Sequence, residues 1–405
     1  MARPPHSDPT HDRGDDGGAG PRTWIDLSSA AHDRAGMGRY QSSLARALLA
    51  LGAPVGVFLH DRAGSRLRPP LSDVDTLSAG MPLRRWRLRA AASYFGAPSL
   101  DRALPGVRRF HATDHLLPKL SSARSIFTLH DTAYLRYPEY YLPRNRIYLR
   151  IMMPRFLRRA DRVIVVSEHT RVDALRHYGL EPGKVHVIPE GVDPWFTPEQ
   201  PRARIDAVRG RFGLPGRYVL SVGTIQPRKN LATLLDAYAV LRRREPDLGL
   251  VIAGALGWLY ESFFDRRRAL GLEDAVVVTG AVPDEDLPAM YAGAEVFAYP
   301  SVYEGFGLPP LEAMACGTPV ASSNATSLPE VVGDAGALVE PLDVDAWVTE
   351  IDRLLHDEAR RRELRGRGLA RARTFTWERA ARRTLEVYGS LPEPGDGSGG
   401  PAAVT

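Results

Sequence analysis

Residues 304–320 read E-G-F-G-L-P-P-L-E-A-M-A-C-G-T-P-V, and an apolar run at 296–299 precedes them. The glycines allow a tight turn, and Pro309 and Pro310 suit the first turn of a helix. The stretch therefore predicts a strand, a glycine loop and a helix, an order that places ligands at the carboxyl end of a parallel sheet. Glu304 on the loop and Glu312 in the first helical turn would offer carboxylates to the paired hydroxyls of a ribose or a sugar. Taken alone, two carboxylates that only stabilise a helix N-terminus explain the stretch equally well.

The rest of the chain repeats this alternation of apolar runs and helical spans. Such an alternation is typical of βαβ units. A proline-rich passage at 189–201 separates two series of them and reads as an interdomain linker. The sequence thus predicts an α/β protein with two facing doubly wound, Rossmann-like domains, the first at 22–197 and the second at 198–375.

Length and composition agree with two globular domains. The chain has 405 residues, 44% of them hydrophobic, which is enough for two cores. Residues 1–21 and 391–405 are rich in glycine and proline, so we expect disordered tails there. No apolar run approaches the roughly 20 residues of a membrane span, and the N-terminus lacks the apolar core of a signal peptide. The single Cys316 excludes an intramolecular disulfide and fits a reducing cytoplasm, where we expect the protein to act.

Two loops in the N-terminal half follow predicted strands. The first, A-G-M-G-R-Y at 35–40, contains Gly36 and Gly38, which can bring backbone amides and a helix N-terminus up to a phosphate. A plain tight turn is the alternative. The second, H-D-T at 130–132, places His130 at a strand end, where it can bond a hydroxyl or transfer a proton. A structural role for His130 is an equally good interpretation.

A third loop, S-V-G-T-I-Q-P-R-K-N at 221–230, carries two cations before a helix. Arg228 and Lys229 would lie at the mouth of that helix, with Asn230 as its cap. The chain has only three lysines among 53 basic residues. A lysine in this loop therefore indicates a functional role for Lys229. A compact ammonium suits phosphate, and two cations at a helix N-terminus can neutralise a diphosphate without a metal.

Basic residues are concentrated between 82 and 163. This segment has 17 Arg or Lys against 5 Asp or Glu, a net charge of +12. Its two richest stretches, 84–89 and 144–159, interleave arginine with apolar residues, as a helix on an anionic membrane does. These apolar residues are Trp86, Leu88, Ile151, Met152 and Phe156. A solvated helix face over an ordinary core is the main alternative; a nucleic-acid partner is not expected because no nucleic-acid-binding motif accompanies the charge.

Taken together, the motifs resemble family 4 glycosyltransferases, retaining enzymes of the GT-B fold that use nucleotide-activated sugars. The resemblance covers about residues 22–390 and includes G-M-G-R-Y, H-D-T-A-Y-L-R-Y-P-E-Y-Y, V-V-S-E-H-T, V-I-P-E-G-V-D, V-G-T-I-Q-P-R-K-N, the 304–320 stretch and S-L-P-E-V-V-G-D-A. The motif style is most similar to that of bacterial mannosyltransferases of O-antigen and exopolysaccharide assembly. The resemblance implies a hexosyltransferase, with mannose from GDP-mannose as the best guess, acting on a glycan or lipid-linked acceptor.

The resemblance also implies roles for individual residues. The catalytic residues would be His130, Glu304, Arg228 and Lys229. The donor-binding residues would be Gly36, Gly38, Thr224, Arg228, Lys229, Glu304, Gly305, Phe306, Gly307, Leu308 and Glu312. Thr224 stands where many relatives have an arginine directly after the glycine, so Arg228 would compensate. The C-terminal domain would bind the nucleotide-sugar, the N-terminal domain the acceptor, and a last helix at 376–390 would cross back to the N-terminal domain.

We expect no cofactor and no metal. The spacings Asp73-x-Asp75 and Asp343-x-Asp345 imitate a metal motif, but Asp343 is better explained as a helix cap. His111 and His115 have zinc-like spacing without a third ligand. Two other functions stay open at this point, a nucleotide-sugar epimerase on the same fold and a catalytically inactive sugar-nucleotide sensor. The cytoplasmic protein would associate peripherally with the inner face of the membrane if the basic segment docks there.

Overall fold

A computed structural model describes residues 23–32, 36–61 and 67–392. The first predicted tail, 1–21, lies outside these residues, as does the second tail from 393 onward. Leu391, which we expected in the second tail, is buried just after the last helix.

The N-terminal half forms a sheet of seven parallel strands in the order β3-β2-β1-β4-β5-β6-β7. The strands are β1 (Thr23–Asp26), β2 (Val55–Leu59), β3 (Thr76–Ser78), β4 (Arg109–Ala112), β5 (Arg124–Leu129), β6 (Arg162–Val165) and β7 (Val185–Val187). The helices are α1 (Ser28–Ala31), α2 (Met37–Ala50), α3 (Leu83–Ser93), α4 (Ala133–Arg136), α5 (Pro143–Arg159) and α6 (Glu168–Tyr178).

The C-terminal half forms a sheet of six parallel strands in the order β10-β9-β8-β11-β12-β13. The strands are β8 (Arg217–Val222), β9 (Leu248–Ala253), β10 (Val276–Gly280), β11 (Val296–Tyr299), β12 (Val320–Ser323) and β13 (Ala337–Val339). The helices are α7 (Arg202–Phe212), α8 (Leu231–Arg244), α9 (Glu261–Ala269), α10 (Leu287–Ala292), α11 (Leu308–Ala315), α12 (Leu328–Val332), α13 (Val344–His356), α14 (Glu358–Ala372) and α15 (Trp377–Gly389).

Both sheets reverse their strand order once, and that reversal positions the site. In the second sheet β8 pairs with β9 on one side and β11 on the other. Ligands of open α/β sheets bind beyond the carboxyl ends of the strands at such a switch point. The loops after β8 and β11 are the two that carry the predicted cations and Glu304. The predicted fold class is confirmed.

The last helix, α15, returns to the N-terminal half and packs against α2. The Tyr388 hydroxyl lies 2.7 Å from Nδ1 of His111, which is buried in β4. Nε2 of the same ring lies 2.7 Å from the Thr128 hydroxyl. Burial lowers the pKa of His111 to about 3, so this ring is a neutral structural group. The crossing helix predicted at 376–390 is confirmed.

The basic segment folds differently from the interleaved membrane face that we predicted. Trp86, Met152 and Phe156 are buried in the core of the N-terminal half. The spacing of the apolar residues correctly predicted helices. It could not show whether the apolar side of each helix faces the protein core or the solvent. Leu88 and Ile151 do point outward, with 71% and 43% of their surface exposed.

Candidate functional site

Glu304 lies at the centre of a cluster of charged side chains at the switch point of the second sheet. Its carboxylate accepts hydrogen bonds from Arg228 at 2.8 Å and from Lys229 at 2.6 Å. The hydroxyls of Ser301, at 2.6 Å, and Tyr299, at 3.0 Å, donate to it as well. Burial alone would raise the pKa of Glu304, but the two cations outweigh burial and lower the pKa to about 2. The carboxylate is therefore ionised at every physiological pH. Burial lowers the pKa of Lys229, and the neighbouring Glu304 carboxylate opposes that shift.

The two cations reach Glu304 because the chain turns sharply after β8. Arg228 and Lys229 end a short 3-10 turn, 227–229, and Asn230 follows in the left-handed region with φ +52°. Asn230 occupies the N-cap position of α8, as predicted, but its side chain does not cap the helix. Its amide nitrogen donates to the carbonyl oxygens of Pro300 and Pro341 instead. Asn230 thus ties the cation loop to the strand-end loop that carries Glu304.

The loop from Gly305 to Leu308 presents backbone N–H groups at the start of α11. All four residues are buried, and within the described part of the chain none of their N–H groups donates a hydrogen bond. Gly307 is the N-cap with φ +127°, a conformation that strongly favours glycine. Two prolines follow at 309–310, and because proline has no backbone N–H, neither needs a hydrogen-bond acceptor. Unsatisfied N–H groups at a helix N-terminus form an anion-binding site.

Glu312 lies in the second turn of α11, not in the first turn as we predicted, and it is 1% exposed. Its carboxylate forms an ion pair with Arg39 from α2 and accepts a hydrogen bond from the Tyr291 hydroxyl at 2.8 Å. Arg39 also pairs with Asp284. Sequence reasoning missed Arg39, although it follows directly on Gly38 in the G-M-G-R-Y motif. The ion pair joins the two halves of the molecule at a carboxylate that was predicted to bind hydroxyls of a ribose or a sugar.

His130 lies at the carboxyl end of β5, on the opposite side of the cleft. Its Nε2 is 3.0 Å from the Thr113 carbonyl oxygen, and its Nδ1 is 3.6 Å from Oε1 of Glu190. Burial opposes protonation of the ring, but the Glu190 carboxylate outweighs it and raises the pKa of His130. The backbone at His130 touches the glycine loop: a Cβ at Gly305 would lie 1.8 Å from the His130 carbonyl oxygen. The structure therefore brings His130 next to Gly305, as predicted for one site.

The remaining predicted site residues lie at its edges. Gly36 is the exposed N-cap of α2 with φ +62°. Gly38 is buried against α1, where a Cβ would lie 3.1 Å from the Ser29 carbonyl oxygen, so close packing requires this glycine. Thr224 is half-buried and directs its methyl group toward Gly257. Among the described residues, no hydrogen bond or ion pair joins Thr224 to the Glu304 cluster.

Further contacts hold the two halves together around this site. The Tyr303 hydroxyl donates to Asp173 on α6 at 2.6 Å and lies 2.9 Å from the Thr132 hydroxyl. The carboxylate of Glu330 accepts the N–H groups of residues 168 and 169 at 2.8 and 2.7 Å. It therefore satisfies the first turn of α6 from the opposite domain. No sequence pattern predicted these partners.

Metal-ligand geometry is found away from the Glu304 cluster. Within the described ranges, one group of side chains, His32, His60 and Asp61, brings three potential ligand atoms within 4.8 Å of one another. The His32 and Asp61 side chains already pair at 2.9 Å.

Asp343 accepts the N–H of Ala346 at 3.0 Å and caps α13, as we predicted.

The architecture and the site together define a class of enzyme. Two parallel-sheet domains meet near the strand ends that carry the carboxylate, the two cations and the helix N-terminus, and this two-domain architecture is that of a GT-B glycosyltransferase. The chain superimposes on the crystal structure of Anabaena Alr3699/HepE in complex with UDP and glucose, with a TM-score of 0.72 and 19% identity over 92% of this chain and 100% of that one.

The sequence comparisons give the family. Residues 34–196 match Glycosyltransferase Family 4, and residues 207–371 match Glycosyl transferases group 1. The O-antigen chain mannosyltransferase B of Escherichia coli is 37% identical over 285 residues, 69% of this chain and 73% of that protein. The serotype-specific mannosyltransferase WbdA of Escherichia coli is 32% identical over 277 residues. The aligned region is 66% of this chain and 34% of WbdA. The chain belongs to the family 4 glycosyltransferases.

No helix among the described residues is long and apolar enough to cross a membrane.

Proposed function

We propose that this glycosyltransferase moves mannose from GDP-mannose, with retention of anomeric configuration, to a glycan or lipid-linked acceptor. The observation that carries the proposal is the buried Glu304 cluster beside the free N–H groups of residues 305–308. It combines groups for a diphosphate with a carboxylate for sugar hydroxyls. The choice of mannose is supported by the 37% identity to a mannosyltransferase.

Each group has a distinct task in the proposed reaction. Arg228 and Lys229 neutralise the charge that develops on the leaving diphosphate, since fixed cations in a buried site need no reorganisation. Glu304 accepts hydrogen bonds from hydroxyls of the donor sugar. Because Glu304 pairs with both cations in the structure, the donor diphosphate would share those cations with it. The Arg228 guanidinium, which stays charged in proteins, and the nearby N–H groups favour that exchange.

The ribose would bind at Glu312. This carboxylate is fully buried, so it must keep a partner at all times. Arg39 and Tyr291 are its partners in the structure. Ribose hydroxyls would replace the hydrogen bond of Arg39, and Arg39 would retain its second partner, Asp284.

A donor panel tests the proposal. Purified protein is titrated with GDP-mannose, GDP, UDP-glucose and dTDP-glucose while its melting temperature is followed. We expect GDP-mannose and GDP to raise the melting temperature more than the other nucleotides. Transfer to a mannosyl acceptor, with the product anomer read by NMR, then tests retention. Stabilisation by uridine nucleotides alone would refute the GDP-mannose assignment, and an inverted product would refute retention.

We also propose that the enzyme works on an anionic membrane, docked through α3 and α5. These helices contain no acidic residue, and they lie side by side, with Arg87 over the Tyr148 ring at 4.0 Å and Arg155 over the Phe95 ring at 4.5 Å. Their outer surface combines arginines with exposed apolar side chains, a composition typical of interfacial helices. The apolar members are Leu88, Ile147, Ile151 and, just after α3, Phe95; the exposed arginines of the two helices are Arg84, Arg85, Arg89, Arg144, Arg150 and Arg158.

Vesicle co-sedimentation tests this docking. Replacement of Arg84, Arg85 and Arg89 by serine should reduce binding to vesicles with phosphatidylglycerol, since each basic residue near the surface contributes about 1 kcal/mol. Arg87 is retained because of its contact with Tyr148. Binding should weaken as salt rises, and donor binding should not change. If the wild-type protein ignores these vesicles at low salt, the arginines are only a solvated face.

A further inference from the structure

A cavity of about 270 Å³ lies where the interdomain linker, α12 and the first turns of α15 meet. Its size is near the lower limit of ligand pockets, about 300 Å³. Glu190 lies on the linker side, Glu330 on the α12 side, and Arg379 and Arg383 on the α15 side. None of the residues predicted for donor binding lines the cavity. It is a separate compartment with two positive and two negative side chains.

The two arginines of the cavity lack carboxylate partners among the described residues. Arg379 and Arg383 are four residues apart on α15 and so lie on the same face of the helix. The Arg379 side chain donates one hydrogen bond, to the Thr374 carbonyl oxygen at 3.3 Å. The Arg383 side chain makes no hydrogen bond or ion pair with any residue that the structure describes. Both guanidinium groups therefore have donors available for a ligand.

The two carboxylates of the cavity are already satisfied. Both oxygens of Glu330 accept backbone N–H groups of α6. Glu190 faces His130 at 3.6 Å, and this pairing raises the pKa of the ring. The carboxylates thus have partners outside the cavity, whereas Arg383 has none among the described residues. The compartment favours an anion.

The cavity adjoins the proposed reaction centre. Glu190 forms part of its wall and contacts His130. Phe375, another wall residue, packs against Phe306 of the glycine loop with ring centroids 5.8 Å apart. A molecule bound in this cavity would therefore be separated from His130 by Glu190 and from the glycine loop by Phe375.

The geometry points to an acceptor subsite in this cavity, in which Arg379 and Arg383 bind a phosphate or carboxylate group of the acceptor. This assignment rests on the proposed glycosyl transfer, because it takes the molecule bound in the cavity to be the acceptor. It makes the acceptor an anionic one, and it assigns acceptor recognition to the crossing helix as well as to the N-terminal domain.

Calorimetry can test the subsite without a known acceptor. The protein is first saturated with GDP, so that an added anion cannot enter the donor diphosphate site. It is then titrated with phenyl phosphate, with methyl glucuronoside and with the neutral methyl mannoside. We expect at least one of the two anions to bind more tightly than methyl mannoside. Preference for phenyl phosphate would indicate an acceptor phosphate, and preference for the glucuronoside an acidic sugar.

Matched variants of α15 localise the binding. Arg383→Gln should weaken the anion about tenfold or more, the scale of one charged hydrogen bond, and Arg379→Gln/Arg383→Gln should abolish detectable binding. Arg382→Gln is the control, since Arg382 is exposed and pairs with Glu378 at 2.7 Å. It should bind the anion as the wild type does.

The outcomes separate the subsite from the proposed function. If the wild type binds GDP but neither anion, or if Arg382→Gln is as weak as Arg383→Gln, the subsite is wrong while the donor assignment stands. If the wild type does not bind GDP, the GDP-mannose proposal fails. The anion titrations are then repeated with UDP-saturated protein and judged by the same criteria.

Discussion

The two walls of the cleft are built on different principles. On the C-terminal wall, Glu304, Arg228 and Lys229 satisfy one another within one domain. On the N-terminal wall, His130 depends on Glu190 from the linker, and Arg39 depends on Glu312 across the cleft. The Glu304 cluster is thus complete within one domain, whereas Arg39 finds its carboxylate partner only when the domains meet. Changes on the C-terminal wall should therefore have larger effects.

The largest effect is expected for Glu304→Gln. It leaves two buried cations without their carboxylate, and removal of one partner from a buried ion pair costs about 3–5 kcal/mol. We expect a lower free energy of unfolding in urea and a loss of transfer activity. An activity within a few-fold of the wild type would contradict the central role of this cluster.

The same variant gives a pH test with a definite sign. The pKa of Glu304 falls from 4.5 to about 2 on folding, so its stabilising contribution is complete above 4.5 and disappears as the pH falls through 2. The stability difference between the wild type and Glu304→Gln should be constant near neutral pH and shrink below pH 4.5. A difference that grows on acidification would contradict the lowered pKa.

Lys229→Ala should have the next largest effect. The loss of one cation at the leaving diphosphate should slow transfer by about 2–4 kcal/mol in activation free energy. Steady-state kinetics with and without EDTA provide the measurement. On the proposal that side-chain cations neutralise the diphosphate, we expect the wild-type rate to persist in EDTA. If EDTA abolishes turnover and Mg²⁺ or Mn²⁺ restores it, a metal contributes to the donor site.

Glu312→Gln tests whether the cross-cleft carboxylate serves the ribose. It should weaken donor binding by roughly 1.5–3 kcal/mol, and more for ribonucleotides than for 2′-deoxy analogues. Asp284→Asn is the control, because it alters the other, more exposed partner of Arg39. Equal losses for both nucleotide types would leave Glu312 with a structural role only.

The smallest effect is expected for Glu190→Gln. The raised pKa of His130 means that its protonated form stabilises the fold, fully at low pH and no longer once the pH exceeds the folded pKa. In Glu190→Gln the His130 pKa should fall, as followed by NMR titration of the ring protons. The stability advantage of the wild type should shrink as the pH rises. An unchanged His130 pKa would show that Glu190 does not raise it.

The difference between the walls also explains what the sequence could predict. Gly307, Glu304, Lys229 and Arg228 lie within local motifs whose geometry depends on one strand end and one helix start, and the structure brings them together. Arg39 and Glu190 find their partners at a distance set by the domain arrangement. No local pattern encodes that arrangement. The predicted outward direction of Trp86 was wrong for a related reason, since it depends on which neighbour covers α3.

The close fit of Gly305 beneath His130 has a consequence for motion. A methyl carbon at position 305 would lie only 1.8 Å from the His130 carbonyl oxygen. Because of this steric clash, an alanine there would force the glycine loop and the end of β5 apart. Gly305→Ala would then separate His130 from the glycine loop, while the Glu304 cluster would still form within its own domain. Such a chain would allow nucleotide capture and domain closure to be timed as separate kinetic steps.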